Sequence, residues 1–189
     1  AFFSMAVTYV TGPRGLCHVT GFSEGSELGT EIPEYDLPGL DRFSDELKGK
    51  AAMAWQDIAQ FDNALAYCMF YDFAGYTHAD KAALINAITG WDTNTEELIV
   101  DIGGRINQLC RMFSLKHGLQ PAVDEKLPAR MLEPLSEGGA AGKVPPIEKM
   151  LGEYYAERGW PQGIPTAEVL GRFRVAFAAS DLEDLPVSG

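Results

Sequence analysis

Apolar positions fall at helical spacing over most of the chain. From about Ser44, Leu47, Ala51, Ala54, Trp55, Ile58 and Phe61 recur at three- and four-residue steps, which predicts a helix with one buried face. Thr77, with Asp80 three residues on, reads as the N-cap of a second helix carrying Ala83, Leu84, Ala87 and Ile88 and ending at Gly90. Thr95 is placed to cap the longest helix, with Glu96 and Glu97 at the positive end of its dipole. Its stripe is Leu98, Ile102, Ile106, Leu109 and Phe113, and Gly118 stops it. Residues 133–146, "EPLSEGGAAGKVPP", form a loop, Ile147 to Arg158 a short amphipathic helix closed by Gly159, and Thr166 caps one more. Before residue 40, glycines and prolines are spaced too densely for long helices, so irregular or short extended structure is expected there. No alternation suggests a sheet. The expected fold class is mostly α, divided into an irregular segment (1–43), a helical domain (44–132), a loop with C-terminal helices (133–172) and a tail (173–189).

Composition narrows the partners. A chain of 189 residues can bury a sizeable core. Its net charge of −12 disfavours a nucleic-acid surface, since phosphates repel it. No apolar run approaches the roughly 20 residues of a membrane span. Three separated cysteines, Cys17, Cys68 and Cys110, suit a reduced, cytoplasmic chain better than a disulfide scaffold. The chain opens in the middle of an apolar run, "AFFSMAVTYV", without an initiator Met, and is expected to be a piece of something larger.

Few residues promise chemistry by themselves. There is no C-x-x-C, and His18, His78 and His117 lack ligand spacing. Cys17 and His18 are neighbours, so their side chains tend to diverge. Cys110, four positions after Ile106, reads as a small core residue, and His78 and His117 as helix-end residues. The acidic run from Glu24 to Glu46 reads as solvated surface. Around Cys68, "FDNALAYCMFYDFAG" packs Tyr67, Phe70, Tyr71 and Phe73 into seven residues, as expected of a helix that turns an aromatic cluster to the core.

Five stretches in order change this picture: "RGLCH", "DNALAYCMF", "ALINAITGWDTNTEELIVDIGGRINQLCRMFSLKHGL", "DEKLPARMLEPLSEG" and "IEKMLGEYYAERGWPQGIPT". From about residue 7 to 172 the chain resembles the C-terminal helical region of the tungsten-containing aldehyde:ferredoxin oxidoreductases. That family has the motifs R-G-x-C-H, D-x-x-G-L-C, G-x-R-x-x-x-x-x-R-x-F-N and Y-Y-x-x-R-G-W in this order.

The resemblance implies a tungsten (or molybdenum) bis-pterin beside one [4Fe–4S] cluster, oxidation of an aldehyde to a carboxylic acid, and ferredoxin as electron acceptor. It places the fourth cluster ligand on Cys68, the other three lying upstream of this chain in an N-terminal domain of the same polypeptide. It places a proton-transferring residue on His18 and pterin contacts on Asn63, Ala66 and Tyr67. An imidazole is suited to such transfer because it titrates near neutrality.

By the same resemblance this chain alone would be inactive and hold no cofactor, and its face carrying His18 and Cys68 would be open and apolar. Two positions depart from the family's pattern. Asn63 stands where it has Asp, which removes a charge, and Ala66 where it has Gly, which adds a methyl. These changes point to a divergent branch acting on an aromatic acid derivative as one alternative; a separate alternative is a non-catalytic helical interaction or scaffold domain.

Overall fold

The computed structural model describes residues 2–182, and the end of the expected tail, residues 183–189, lies outside the described residues. In chain order the helices are α1 (Phe3–Thr11), α2 (Glu24–Glu27), α3 (Lys48–Ala64), α4 (Phe70–Phe73), α5 (His78–Thr89), α6 (Gly104–Lys116), α7 (Pro121–Asp124), α8 (Ile147–Arg158) and α9 (Ala167–Arg172). Among the described residues β pairing is confined to isolated bridges such as Ile32 with Leu37. The fold is mostly α, as expected. No helix among them is long and apolar enough to cross a membrane.

Several ends fall where the sequence puts them. Thr77 and Asp80 form a reciprocal capping box at the start of α5, and Gly90 closes that helix with left-handed backbone. Gly159 closes α8 the same way, and the Thr166 hydroxyl accepts from Val169 N–H at the start of α9. Residues 1–40 are a correction. Phe3–Thr11 is a nine-residue helix, nearly all of it buried. The first glycine comes only at Gly12, and an apolar run buried on every side shows no periodicity.

α3 is the central rod. It packs on α1, α6, α8 and the π-helical segment Glu97–Gly103 that leads into α6. Its small buried residues, Ala51, Ala52 and Ala54, admit the neighbouring backbones closely, and Ile58, Leu98, Ile99, Met150 and Tyr154 fill the core around them. A second cluster gathers Met112, Leu115, Leu170, Val175 and Ala178, so Phe173, Val175, Ala178 and Ala179 of the expected tail contribute to packing.

The π-helical segment corrects the apolar stripe. Its longer hydrogen-bonded turn rotates the helix beyond it. After Leu98 and Ile99 the inward residues are Gly103, Gly104, Asn107, Gln108, Arg111, Met112 and Leu115. Leu109 and Phe113 face outward, Phe113 with 65% exposure, and Cys110 is only half-buried. The cap also shifts by one residue from Thr95: Asn94 Oδ1 accepts from Glu97 N–H at 2.9 Å, and Glu97 Oε2 accepts from Asn94 N–H at 3.1 Å.

Buried ion pairs replace part of the missing stripe. Asp57 Oδ1 accepts from Arg158 at 2.5 Å and from Asn107 at 2.6 Å, joining α3, α8 and α6. Tyr35 O–H donates to Asp57 Oδ2. Lys48 Nζ reaches Glu27 Oε1 at 2.5 Å, with both side chains fully buried. The acidic run is therefore not all solvated surface: Glu27 is inside because Lys48 neutralises it and Ser4 N–H donates to it.

Two glycines set helix spacing. A Cβ on Gly103 would stand 2.3 Å from the Asp57 carbonyl oxygen, and one on Gly49 2.3 Å from Tyr154 N. Backbone cannot step aside as a flexible side chain can. Gly103→Ala is expected to lower unfolding free energy by about 1–3 kcal/mol or more, read by urea denaturation. Gly152→Ala, where a Cβ meets nothing within 4 Å, is expected to raise it by up to about 1 kcal/mol from helix propensity. Equal effects of the two would contradict the close crossing.

Candidate functional site

His18 opens a short 3-10 turn, His18–Thr20, just after the glycine-bearing turn at Gly12–Gly15. Both ring nitrogens are engaged: Tyr9 Oη lies 3.0 Å from Nδ1 and Glu24 Oε1 2.8 Å from Nε2. A carboxylate only accepts, so Nε2–H donates to Glu24, and in the neutral ring Nδ1 accepts from the Tyr9 hydroxyl. Burial pushes the Tyr9 hydroxyl up, helped by Glu24 and Cys17, which keeps it a donor. The His18 side chain remains 49% exposed. Glu24 and Tyr9 are partners that the sequence did not reveal. Glu24 belongs to the acidic run expected on the surface, and Tyr9 to the segment expected to be irregular. Cys17 beside His18 is half-buried, with Arg14 Nη2 3.5 Å from its sulfur.

Cys68 is exposed and free, on the turn between α3 and α4. That turn starts as a Schellman motif. Tyr67 N–H donates to Asp62 O at 2.9 Å and Ala66 N–H to Asn63 O at 3.2 Å. Ala66 therefore has φ of +54°, the left-handed conformation in which glycine is at home. Asn63 is exposed, and Tyr67 is half-buried. Asp62 points inward instead. Lys81 Nζ holds its two oxygens at 2.7 and 3.0 Å, reaches Asp72 at 2.8 Å, and lies 4.7 Å over the Tyr67 ring. This buried ammonium ties α3, the Cys68 segment and α5 together.

The aromatic cluster is a second correction. Of the expected cluster, Phe70, Tyr71 and Phe73 are more than half exposed, as is Tyr76 beyond it, and Tyr67 is half-buried, so the rings of the short α4 face outward and leave the core. Four rings in seven residues cover every side of a helical turn and cannot share one buried face. They make the apolar face around Cys68 that was expected, of the kind that marks a covered or binding surface.

The structure brings His18 and Cys68 segments to one region through rings. The Phe22 ring stands edge-on to His18 at 5.0 Å and to Phe73 at 5.9 Å. Between these segments opens a cavity of about 520 Å³, walled by Phe22, Ile32, Trp55, Ile58, Met69 and Phe73. Asn63, Ala66, Tyr67 and Cys68 share one turn. Cys110 and His117 take no part in the cavity. Burial pushes the Cys110 thiol up, and His117 Nδ1 donates to the Phe113 carbonyl at 2.8 Å. His78, half-buried at the start of α5, lines the cavity beside Glu34. Among the described residues no three side chains of His, Cys, Asp or Glu type gather as a metal-holding group.

The Cys68 turn and its buried ammonium generate two expectations. Ala66→Gly is expected to stabilise the fold by roughly 0.5–1 kcal/mol, because relief of left-handed strain exceeds the added unfolded-state entropy; a lower urea midpoint in the variant would contradict it. Burial pushes Asp62 up to about 6 despite Lys81. Between about pH 4 and 6 the unfolded chain releases this proton while the folded chain keeps it, so this group's contribution to stability falls as pH rises through that window. Asp62→Asn lacks the term. Its stability relative to the unaltered chain is expected to improve by roughly 1–3 kcal/mol from pH 4 to pH 7, as thermal unfolding across that range would record.

Comparison with known proteins agrees with the motifs. The family model described as aldehyde ferredoxin oxidoreductase, domains 2 and 3, matches residues 1–174. The tungsten-containing aldehyde ferredoxin oxidoreductase of Thermococcus kodakarensis is 39% identical over 155 residues, 82% of this chain and 25% of that protein. The enzyme of the same description from Pyrococcus furiosus is 36% identical over 155 residues, again 82% and 25%. A WOR-like subunit of an aliphatic sulfonate oxidoreductase, also from Pyrococcus furiosus, is 33% identical over 134 residues, 67% of this chain and 21% of that protein. Among solved structures, the BamBC active-site complex of benzoyl coenzyme A reductase with 1,5-dienoyl-CoA superposes with a TM-score of 0.60 at 21% identity. It covers 79% of this chain and 23% of its own, a likeness of fold. The chain spans about a quarter of the length of these enzymes, and it belongs to the aldehyde ferredoxin oxidoreductase family, over that family's domains 2 and 3.

Proposed function

We propose that the chain is the helical part of an oxidoreductase that converts aldehydes to carboxylic acids at a tungsten- or molybdenum-pterin centre and passes the electrons through a [4Fe–4S] cluster to ferredoxin. The observation that carries this reading is that His18 and the Cys68 segment are joined through the rings of Phe22 and Phe73, which with Met69 wall the cavity, while His18 and Cys68 themselves lie outside its lining. Bound, the pterin-held metal and the cluster would supply the two-electron oxidation and the one-electron relay, with water providing the acid's second oxygen and two protons released.

The residues present fit that use. Cys68 supplies one exposed thiol next to a hydrogen-bonded turn, and its three companion thiolates would come from an N-terminal domain of the same polypeptide. Asn63, Ala66 and Tyr67 lie on that turn, where a pterin next to the cluster would meet them. Asn63 offers a carbonyl acceptor and two amide donors. The outward rings of Phe70, Tyr71 and Tyr76 give the N-terminal domain an apolar surface to cover. The cavity receives the aldehyde.

His18 holds and moves the proton. In the neutral ring the Nδ1 lone pair accepts from Tyr9, so His18 takes up a proton there when the Tyr9 hydroxyl turns to accept from Nδ1–H, with Glu24 at Nε2 facing the imidazolium charge. Fixing the ring in advance removes an ordering cost from the reaction. Cys17 packs beside it.

The test uses the complete polypeptide with all of the family's domains. Cys68→Ser is expected to lose the cluster's visible absorbance and iron content, while Cys17→Ser and Cys110→Ser keep both; the reverse pattern would place the ligand elsewhere. His18→Ala is expected to retain cofactor and cluster and to lower kcat by about 10²- to 10⁴-fold with little change in KM. Recovery to near the original rate in His18→Gln, which keeps a donor and an acceptor, would assign His18 a purely structural role and refute proton transfer.

A further inference from the structure

Two acceptors on residues that wall the cavity have no donor. Glu34 Oε2 and Asp72 Oδ1 are both buried and make no hydrogen bond. The other oxygen of each is taken: His78 Nδ1 lies 3.3 Å from Glu34 Oε1, and Lys81 Nζ 2.8 Å from Asp72 Oδ2. The Thr95 hydroxyl stands close to Glu34, yet no donor meets Oε2 in hydrogen-bonding geometry. Burial pushes Glu34 up, but its own backbone N–H and His78 outweigh this and leave the carboxyl below its ordinary value, so it is charged at neutral pH.

A buried acceptor left without a donor costs about 1–3 kcal/mol, and more when charged. A ligand that brings donors removes that cost. The remaining wall is apolar and aromatic, and about 520 Å³ lies within the range of small-molecule sites. The charges around it have one predominant sign. Glu31, Glu34 and Asp72 line the cavity against the imidazole of His78, and Lys81 stands behind Asp72, already shared with Asp62. A second carboxylate brought into this space meets repulsion without a free cation among the lining residues.

We propose that the cavity selects an uncharged, ring-sized molecule carrying a hydroxyl donor and rejects the same ring carrying a carboxylate, with Glu34 the residue that sets the discrimination. The proposal rests on the reading of the cavity as the substrate recess. In that role it names hydroxy-substituted aromatic aldehydes as the class accepted, and acid-bearing aldehydes as the class refused.

The experiment titrates this chain with 4-hydroxybenzyl alcohol and with 4-(hydroxymethyl)benzoate, unreactive probes of the same ring that differ in hydroxyl against carboxylate. Binding is monitored at the indole N–H resonance of Trp55, which lines the cavity and donates to Ser26 Oγ. The hydroxyl probe is expected to bind at least about tenfold more tightly, the scale set by one like-charge contact. In Glu34→Gln, which keeps the side chain's shape, the two affinities are expected to converge to within about threefold. Equal binding in the unaltered chain, binding of neither probe, or full discrimination retained in Glu34→Gln would each overturn the proposal. The comparison in the unaltered chain decides the matter even if the variant does not fold. The complete enzyme separates this proposal from the catalytic one. Discrimination in binding with no oxidation of 4-hydroxybenzaldehyde refutes the catalysis and keeps the site. Oxidation of 4-hydroxybenzaldehyde and 4-formylbenzoate at equal kcat/KM keeps the catalysis and refutes the role of Glu34.

Discussion

One buried carboxylate, Asp57, holds the architecture together. It accepts from Arg158 on α8, from Asn107 on α6 and from the Tyr35 hydroxyl. Arg158 in turn donates to Gln56 Oε1 at 3.1 Å and to the Met53 carbonyl at 3.2 Å. Burying such charges is costly, and removing one partner strands the other, at about 3–5 kcal/mol. The site inherits this constraint directly. Ile58, in the cavity wall, is the residue after Asp57, and Glu34 precedes Tyr35. The placement of one cavity carboxylate and one wall residue therefore depends on a salt bridge that the cavity does not contain.

Similar pairings recur where apolar contact alone does not join the helices. Arg111 grips Glu125 with two nitrogens and donates to the Gly163 carbonyl at 2.7 Å, tying α6 to the chain beyond α7 and α8. Lys48 and Glu27 fix the start of α3 to α2. Directional bonds of this kind give a single register to helices whose inner faces are partly alanine and glycine, residues that pack closely but orient little.

The same pairings limit how far the amino-acid sequence reveals the fold. Caps and terminators were legible at Thr77, Gly90, Gly159 and Thr166 because each is a local hydrogen-bonding requirement. The inner face of α6 was not, because Asn107, Gln108 and Arg111 occupy it and the π-helical turn rotates the stripe. α1 escaped notice because burial on all sides erases periodicity. His18 and Cys68 were reached through motifs. The partners Tyr9 and Glu24, the inward turn of Asp62 and the cavity itself were beyond reach, since each depends on segments distant in sequence and adjacent only in the fold. The turn at Ala66 is intermediate: its motif marks the position, but only the backbone shows that the methyl is carried in left-handed strain.

α3 also has a mechanical meaning. Backbone meets backbone at Gly49 and Gly103, so the rod has no compliant layer of side chains at those crossings. Trp55 and Ile58 lie on its middle and the Cys68 turn hangs from its end. The cavity wall at Trp55 and Ile58 and the turn that carries Cys68 are thus held in one frame by a single helix seated at two backbone crossings.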